Sequence, residues 1–265
     1  MPAARAKRYG AYPAHRFAHM TDPAPVALVT GAARRIGAQI ARRLHAAGYD
    51  LALHYRSSQA DMDALVAELQ AVRACSVLPL QADLAQFDRL PELVAQTVGR
   101  FGRLDALVNN ASSYYATPIG TATPQQWDDL FASNARAPFF LSQAAAPHLK
   151  AARGAIVNIA DIYAQRPLPG HSVYCMAKAA LVMATQALAL ELGPEVRVNA
   201  IAPGNILWSD NAQKAETPEM VRERTALRRQ GEPDDIAGAV HWLLAGNAYV
   251  TGQVLAVDGG RTLSM

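Results

Sequence analysis

The stretch VALVTGAARRIGAQIARRLHAAG, residues 26–48, decides which fold class this chain can adopt. Its first four residues, Val26–Val29, form an apolar run that predicts a buried strand. A turn containing Gly31 and Gly37 follows, and the helical pattern of residues 38–47 comes directly after it. A strand that enters a helix through a glycine turn is the first unit of a parallel sheet covered by helices.

The glycine turn also predicts a ligand. Glycine lets the backbone approach a pyrophosphate closely, and the N-terminus of the following helix favours the negative charge. We therefore expect the turn to bind a dinucleotide, with contacts from Gly31, Arg34, Arg35, Ile36 and Gly37. Such turns usually carry a middle glycine, and this chain has Arg35 in its place. The guanidinium either clamps the pyrophosphate or also contacts an anionic or electron-rich substrate, and both interpretations stay open.

The end of the next strand indicates which dinucleotide is bound. A free ribose 2′-hydroxyl is usually met there by an acidic side chain, but Asp50 begins this strand and no acid ends it. Arg56 and the serines after it suit a 2′-phosphate through charge-assisted hydrogen bonds. We therefore predict NADPH as the cofactor. The residues expected at the 2′-phosphate end of NADPH are His54, Tyr55, Arg56 and Ser57.

Apolar runs and helical patterns alternate along the rest of the chain. The later predicted strands cover residues 77–80, 104–109, 156–160, 196–201 and 254–257, and the later helices cover 62–74, 90–101, 124–149, 173–192 and 233–245. This alternation predicts an α/β, single-domain Rossmann fold over residues 24–265, with a doubly wound parallel sheet of about seven strands flanked by helices. Residues 205–230 are polar and weakly periodic, and we interpret them as a flap with short helices over the substrate.

Sheets of this kind bind ligands at the carboxyl ends of their strands. Residues that follow strands are therefore further candidates for cofactor contacts, and they are Asp83, Leu84, Asn110, Ala111, Pro203 and Gly204. In the loop after residue 109, Tyr114 either offers a flat face to an aromatic substrate or packs on the edge of the sheet.

Composition excludes several classes of protein. Hydrophobic residues make up 51% of the 265 residues, which argues against a disordered chain. No apolar run approaches the roughly 18 residues of a membrane span, so we expect a soluble, cytoplasmic protein. Cys75 and Cys175 lie far apart without metal-ligand spacing, which favours neither a disulfide nor a metal site. The net charge of +3 is modest and says little about partners, and we expect neither nucleic acid nor a membrane as a partner.

Residues 1–23 form a basic extension before this domain. Arg5, Lys7, Arg8 and Arg16 occur in it before the first acidic residue. A nucleic-acid arm or an organellar presequence would use such charge. Because the segment has neither an apolar signal core nor a clear amphipathic period, we favour a disordered extension, or a start placed too early with Met20 as the working start.

Residues 156–180, IVNIADIYAQRPLPGHSVYCMAKAA, carry the predicted chemistry. Tyr174 and Lys178 lie four apart on the predicted helix and share a face, so the ammonium charge can lower the pKa of the phenol. Asp161 ends the preceding strand and can meet the tyrosine across the site. Asn134, in the middle of the long helix, can hold a water for proton relay.

Together these motifs resemble those of the short-chain dehydrogenases/reductases over about residues 24–262. The matching segments, in order, are Thr30-Gly31 to Gly37, Asn109-Asn110-Ala111, Asn134, Tyr174-x-x-x-Lys178, Pro203-Gly204 and Asp258-Gly259-Gly260. The resemblance implies that Tyr174 is the proton donor and that Asn134 supports a proton-relay water. It also implies that Lys178 lowers the pKa of Tyr174 and holds the nicotinamide ribose, so that both residues contact the cofactor.

Three departures from the common family pattern resemble the pteridine reductases. Arg35 stands in place of a glycine, Ser112 follows Asn-Asn-Ala where glycine is usual, and Asp161 replaces the usual serine. In that subfamily the counterpart of Arg35 contacts both substrate and cofactor phosphate. The counterparts of Ser112, Asp161 and Tyr174 form hydrogen bonds with the pterin. An aromatic ring at the position of Tyr114 sandwiches it against the nicotinamide, although we expect phenylalanine there.

The chemistry of the aspartate agrees with a pterin. An ionised carboxylate has no proton to give to a carbonyl oxygen, but it accepts hydrogen bonds from the N–H groups of an aminopterin ring. We predict reduction of dihydropterin or dihydrofolate, and of oxidised pterin as a second possibility, with protons from Tyr174 and Asp161. One alternative is a general carbonyl reductase, for example of 3-oxoacyl thioesters. Another is a non-catalytic NADPH-binding sensor.

The resemblance also implies an assembly. Members of the family commonly pair their long helices into dimers of dimers. The alanine-rich faces of residues 124–149 and 173–192 permit close packing, so we expect a homotetramer. The only other partner that we expect is a small-molecule substrate.

Overall fold

A computed structural model describes residues 23–206 and 217–264. Its strands are β1 Val26–Val29, β2 Asp50–Tyr55, β3 Val77–Gln81, β4 Ala106–Asn109, β5 Ala155–Ile159, β6 Arg197–Pro203 and β7 Val254–Val257. All strand pairs are parallel, and the order across the sheet is β3-β2-β1-β4-β5-β6-β7. The predicted fold class and the predicted number of strands are confirmed.

Helices cover both faces of the sheet. They are α1 Arg35–Ala46, α2 Gln59–Val72, α3 Arg89–Phe101, α4 Pro124–Phe131, α5 Ala137–Ala152, α6 Ser172–Leu192, α7 Pro218–Arg224 and α8 Pro233–His241. The long helix predicted over residues 124–149 is α4 and α5 joined by a π-helical turn, Ala132–Arg136. A π-helical turn marks a local change in helical hydrogen bonding and often accompanies a functional residue.

Two apolar layers hold the helices to the sheet. Alternate residues of one strand enter opposite layers: Ala27 and Val29 join one cluster, while Val26 and Leu28 join the other. A strand that is buried on both faces needs a continuous apolar run, which explains why β1 reads VALV.

The strand order places the ligand site. β1 is paired with β2 on one side and with β4 on the other, so the crossover connections diverge at this point. In open parallel sheets, ligands bind in the crevice outside the carboxyl ends of the strands at such a reversal. The loops after β1 and β4, which carry the glycine turn and Asn110, meet at this crevice.

Some predicted segments fall partly or wholly outside the described residues. The basic extension, with Met20, is one, because residues 1–22 are not described. Residues 207–216 of the predicted flap are another, although α7 and Ile206 belong to its described part. Within the described part, the prediction of a short helix in this segment is confirmed.

Among the described residues, one helix is long and apolar enough to cross a membrane by length and composition, namely α6. Half of that stretch is buried inside the protein, and its buried residues include Tyr174 and Lys178. Charged and polar side chains buried against a sheet are expected of a core helix that also carries a site. We therefore interpret α6 as a core helix.

Candidate active site

A groove of about 360 Å³ opens at the carboxyl ends of β1 and its neighbours. Most of the residues predicted to contact the cofactor line it, namely Gly31, Arg34, Arg35, Ile36, Gly37, His54, Tyr55, Arg56, Ser57, Asp83, Leu84, Asn110 and Ala111. Pro203 and Gly204 are not among the described residues that line it. The N–H of Gly204 instead donates to the carbonyl oxygen of Val257 on the neighbouring strand.

The glycine turn has the shape that a pyrophosphate requires. A Cβ at Gly37 would overlap the carbonyl oxygen of Gly31 and lie 2.7 Å from the side-chain nitrogen of Asn110. Gly31 has φ +62°, and a Cβ there would lie 2.8 Å from the Cα of Ala111. Side chains are thus excluded at Gly31 and Gly37, and the first turn of α1 carries no acidic residue. The turn and the helix N-terminus fit the phosphates of a dinucleotide.

Arg35 occupies a strained position in this turn. Its φ is +55°, in the left-handed region that glycine adopts without penalty. A side chain in this region costs about 1–2 kcal/mol. Because Arg35 also lines the groove, the strain at this site indicates a functional use of the guanidinium.

Arg35→Gly should separate stability from binding. Relief of the strain, less the greater freedom of glycine in the unfolded chain, should raise the free energy of unfolding by up to about 1 kcal/mol. Loss of the guanidinium should weaken dinucleotide binding about tenfold or more. Urea denaturation and isothermal titration calorimetry measure the two effects. Unchanged cofactor affinity would exclude Arg35 from the phosphate site.

His54 forms a hydrogen bond with the backbone of the glycine turn. The N–H of Gly31 donates to His54 Nδ1 at 3.2 Å, and Nε2 lies 3.1 Å from the carbonyl oxygen of Ala82. Because an amide N–H can only donate, Nδ1 is unprotonated and Nε2 donates to Ala82. Burial lowers the pKa of His54 to about 4, against the hydrogen bond to Ala82. The predicted cofactor residue therefore lines the groove as a neutral ring that holds the turn.

Low pH should reduce the contribution of His54 to the stability of the protein. The folded pKa of His54 is lowered from 6.5 to about 4, so between these values the unfolded chain binds the proton and the folded chain does not. The stability from His54 is present above pH 6.5 and lost as the pH falls towards 4. The contribution to the free energy of unfolding should be about 2 kcal/mol smaller at pH 5 than at pH 7. Urea denaturation of wild type and of His54→Asn, whose difference should shrink by that amount at pH 5, measures it.

A second cluster lies beside the groove, on α6 and in the turn that follows β5. Tyr174 is 4% exposed, and its hydroxyl donates to Asp161 Oδ2 at 2.6 Å. The other carboxylate oxygen of Asp161 accepts the N–H of Tyr163 at 2.9 Å, at the start of the short 3-10 turn Ile162–Ala164. The predicted meeting of Asp161 and Tyr174 across the site is confirmed.

The pKa values of this pair are raised. Burial raises the pKa of Asp161, although the Tyr163 N–H, the Tyr174 hydroxyl and the Lys178 charge oppose the shift. Burial, and then the neighbouring carboxylate of Asp161, hold the pKa of Tyr174 well above its usual value. Both shifts favour the protonated forms of the two side chains.

That Lys178 lowers the pKa of Tyr174 stays a prediction, because burial and the carboxylate of Asp161 dominate that pKa in this structure. Lys178 is 2% exposed, and its Nζ donates to the carbonyl oxygen of Ile159 at 2.8 Å, 5.8 Å from the centre of the Tyr174 ring. The two side chains share a helix face, but the phenol hydroxyl turns to Asp161. Burial lowers the pKa of Lys178 to about 8, against the Asp161 charge.

Asn134 lies in the π-helical turn and is fully buried. Its Nδ2 donates to the carbonyl oxygens of Ser113 and Leu130, both at 2.9 Å, and its Oδ1 accepts the hydroxyl of Ser112 at 2.6 Å. Three of its hydrogen-bonding positions are thus used within the protein. The side chain ties the loop after β4 to the helix, and its predicted part in holding a water stays a prediction.

Tyr114 stands at the mouth of the cluster. It is 46% exposed, and its ring stacks on His171 at 5.0 Å and meets the Tyr174 ring edge-on at 4.9 Å. The loops that carry Tyr114 and His171 are joined by the N–H of Thr117, which donates to the carbonyl oxygen of Gly170. Tyr114 therefore lies in contact with the site and presents an aromatic surface to it.

Sequence reasoning missed several residues of this region. His171 was one, although its position just before Tyr174 on the same segment was a usable signal. The groove is also lined by Ala33, Ala85, Ser113, Asp129, Ala132 and Ser133. Asp129 lies in α4, and Ala132 and Ser133 lie in the π-helical turn after it. No local pattern shows which side of a helix will face a groove.

Comparison with known proteins identifies the family. A family model described as enoyl-(acyl carrier protein) reductase matches residues 31–262. The chain belongs to the short-chain dehydrogenases/reductases. This short-chain reductase is 37% identical to pteridine reductase 1 of Leishmania tarentolae, over 92% of its own length and 99% of the relative. It is 36% identical to a 3-oxoacyl-(acyl carrier protein) reductase of Staphylococcus epidermidis, over 88% of its own length and 97% of the relative.

Members of this family are oxidoreductases that use a nicotinamide dinucleotide. In this short-chain reductase the groove would hold that dinucleotide through the glycine turn and Asn110, next to the Asp161–Tyr174 pair. The similarity to pteridine and 3-oxoacyl reductases is almost equal, so overall identity does not separate their substrates. The side chains of the site must be used to distinguish between these substrates.

Proposed function

We propose that this protein is an NADPH-dependent pterin reductase of the cytoplasm. Its main reaction reduces dihydropterin or dihydrofolate to the tetrahydro form, and its second reduces oxidised pterin to dihydropterin. The observation that carries the proposal is the 2.6 Å hydrogen bond from the buried Tyr174 hydroxyl to the Asp161 carboxylate.

This hydrogen bond disfavours a carbonyl substrate. A carbonyl oxygen that gathers negative charge needs hydrogen-bond donors, and an ionised carboxylate offers none. To donate to a carbonyl, the Tyr174 hydroxyl must break its hydrogen bond to Asp161. The buried carboxylate then lacks this donor, which is unfavourable. An aminopterin ring removes the conflict, because its N–H groups donate to the carboxylate.

The residues of the site have separate tasks in this reaction. The nicotinamide dinucleotide, when bound, supplies a hydride to a ring carbon. Tyr174 gives the proton that the adjoining ring nitrogen needs, and Asp161 accepts the ring N–H groups. The raised pKa of Asp161 also makes its carboxyl a proton source in the second reaction. Tyr114 offers its ring face to the pterin, at van der Waals distance from Tyr174.

Preference for NADPH is supported by the end of β2. Arg56 and Ser57 line the groove there and are exposed, and Ser58 follows them at the N-terminus of α2. One guanidinium, two hydroxyls and a helix N-terminus suit a 2′-phosphate dianion. No acidic side chain directly follows this strand to receive a free 2′-hydroxyl.

A homotetramer is supported by an exposed apolar stripe on α6. Met176, Met183 and Leu190 recur at seven-residue intervals and are 44%, 63% and 86% exposed. Phe139, on the adjacent α5, is 37% exposed. A second copy of α5 and α6 would cover this stripe. Sedimentation velocity of the full chain should show a tetramer, and a monomer at micromolar concentration would contradict the assembly.

The second candidate function is reduction of 3-oxoacyl thioesters. It is favoured by the 36% identity to the staphylococcal 3-oxoacyl reductase, which nearly equals the identity to the pteridine reductase. In that case Asp161 would be an incidental replacement of a serine, and Tyr174 would have to release it to donate to the carbonyl.

One experiment separates the two functions. Oxidation of NADPH by the purified full chain is followed with 7,8-dihydrobiopterin, dihydrofolate and an acetoacetyl thioester, with NADH as the cofactor control. Turnover of the pterin or the folate with NADPH supports the proposal. Turnover of the thioester alone refutes it and supports the second candidate. Equal rates with NADH would refute the proposed cofactor preference but not the substrate.

A further inference from the structure

The loop after β3, residues 82–88 and here called the β3 loop, forms one wall of the groove. Asp83, Leu84 and Ala85 line the groove there. The N–H of Ala82 donates to the carbonyl oxygen of Tyr55 at 3.1 Å, so the loop starts beside the end of β2. The ribose that a nicotinamide dinucleotide presents to the end of β2 belongs to its adenosine half. The β3 loop therefore faces the adenosine half of the cofactor rather than the reactive end of the site.

Local hydrogen bonds fold the β3 loop but do not fix all of it against the groove. Oδ1 of Asp83 accepts the N–H of Ala85 at 2.9 Å, and the carbonyl oxygen of Asp83 accepts the N–H of Gln86 at 3.0 Å. The side chain of Leu84 is buried, but residues 85–88 are exposed. β3 is the outer strand of the sheet, and among the described strands it pairs only with β2. Contacts from the helices are therefore needed to fix the exposed half of the loop.

Two contacts connect this exposed half to the end of the π-helical turn and the start of α5. Nη2 of Arg136 donates to the carbonyl oxygen of Ala85 at 3.1 Å. The ring of Phe87 meets the ring of Phe140 edge-on, with the ring centroids 4.7 Å apart. Arg136 and Phe140 are four positions apart and share a helix face. Neither Arg136 nor Phe87 is among the described residues that line the groove, so both act on a ligand through the loop.

The π-helical turn that ends at Arg136 also borders the groove itself. Ala132 and Ser133 of this turn line the groove, and Asn134 donates to the loop after β4. One turn of helix thus contacts the loops on two sides of the groove. Because the turn holds both loops, it fixes the spacing between them.

We propose that Arg136 and Phe87 are positioning residues that hold the wall formed by residues 83–85 against the adenosine half of the cofactor. Without them, cofactor binding has to order the exposed half of the loop, and the entropy of that ordering weakens affinity. No hydrogen bond or ring contact among the described residues joins the β3 loop to Asp161 or Tyr174, so the reduction itself is unaffected. The inference goes beyond the proposed function, since it needs only a nicotinamide dinucleotide and no particular substrate.

The test is binding of the adenosine half alone. Isothermal titration calorimetry of the full chain with 2′,5′-ADP and with NADP⁺ gives the two dissociation constants. Arg136→Met removes the guanidinium but keeps a long side chain, and Phe87→Ala removes the ring. Each variant should raise both dissociation constants by the same factor, about three- to tenfold, as expected for the loss of one hydrogen bond or one ring contact.

Three further variants identify the loop as the cause. Phe87→Tyr retains the ring and should keep both dissociation constants within about twofold of the wild-type values. Lys150→Met removes a charge from an exposed position of α5 and should leave both unchanged. The double variant Arg136→Met/Phe87→Ala should weaken 2′,5′-ADP by less than the product of the two single effects, because both contacts hold one loop. An effect of the Arg136 charge alone would instead multiply with that of Phe87→Ala.

A kinetic measurement separates positioning from general loss of structure. The KM for NADPH should rise in Arg136→Met and in Phe87→Ala, while kcat at saturating NADPH stays within about twofold of the wild-type value. General loss of structure would lower kcat and Tm together.

The outcomes separate this inference from the proposed function. Unchanged affinity for 2′,5′-ADP in both single variants would overturn the inference, and so would weaker NADP⁺ binding with unchanged 2′,5′-ADP binding. If the wild-type protein does not bind 2′,5′-ADP, the inference fails together with the proposed preference for NADPH. If both variants weaken 2′,5′-ADP but the wild-type protein reduces neither pterin nor folate, the inference stands and the proposed function fails.

Discussion

Tyr174→Phe should lower kcat for dihydropterin by about a thousandfold, within the range that general acid catalysis contributes. The phenol hydroxyl is the only part removed, and in the structure it is the group that donates to Asp161 at 2.6 Å. The ring remains, so the edge-on contact with Tyr114 should persist. Stopped-flow or steady-state NADPH oxidation measures the change. The Kd for NADPH, measured by quenching of protein fluorescence, should change by less than about threefold. The loss of one weak hydrogen bond between neutral groups changes a binding constant by no more than this factor.

The pH profile adds a second readout to this variant. Because burial and Asp161 hold the pKa of Tyr174 well above its usual value, the wild-type enzyme should keep its proton donor throughout the neutral range. The wild-type rate should therefore show no loss between pH 6 and pH 8 from ionisation of the phenol. If Tyr174→Phe retains more than a tenth of the wild-type kcat, another group donates the proton.

Asp161→Ser should redirect the substrate preference. Serine is the residue that the common family pattern leads us to expect here, and its hydroxyl can donate to a carbonyl oxygen. For dihydropterin, kcat/KM should fall about a hundredfold or more, because the charge-assisted hydrogen bonds from the ring N–H groups are lost. For an acetoacetyl thioester, the same quantity should rise, since Tyr174 becomes free to donate. Full activity of either Asp161→Ser or Asp161→Ala on dihydropterin would remove Asp161 from the mechanism.

Measurement of stability distinguishes this change in substrate preference from unfolding of the Asp161→Ser variant. The folded pKa of Asp161 is raised, so its contribution to stability is present at low pH and lost as the pH rises through the folded pKa. A buried carboxyl with a raised pKa destabilises the folded state once it is ionised, so Asp161→Ser should keep or raise the Tm at a pH where the wild-type carboxyl is ionised. Asp88→Ser, at an exposed position before α3, serves as the control for both activity and Tm.

Much of the fold could be predicted from local pattern. The apolar run of β1 is buried on both faces, and the glycine turn after it excludes side chains where the backbone meets Asn110 and Ala111. Residues directly after strands were good candidates for the groove, since parallel strands bring their carboxyl ends to one edge. Pro203 and Gly204 follow the same rule but are not among the described residues that line the groove.

Sequence also showed which chemical groups stand near one another along an element. It placed Tyr174 and Lys178 on one helix face and Asp161 at a strand end, and it identified Arg35 as the unusual residue of the turn. These relations depend on helical and strand periods and on backbone conformation, which are set locally. The strain at Arg35, for example, follows from a turn that needs a positive φ at that point.

Only the tertiary structure decided where the protons of the site lie. The Tyr174 hydroxyl turns to Asp161 rather than to Lys178, and the Ser112 proton goes to Asn134 across 22 positions of sequence. Tyr114 stacks on His171 because two loops distant in sequence are held together. Each of these contacts depends on a side-chain rotamer chosen by packing between separate segments. Local sequence determines which groups are available, while the packed fold determines which of them donate and which accept.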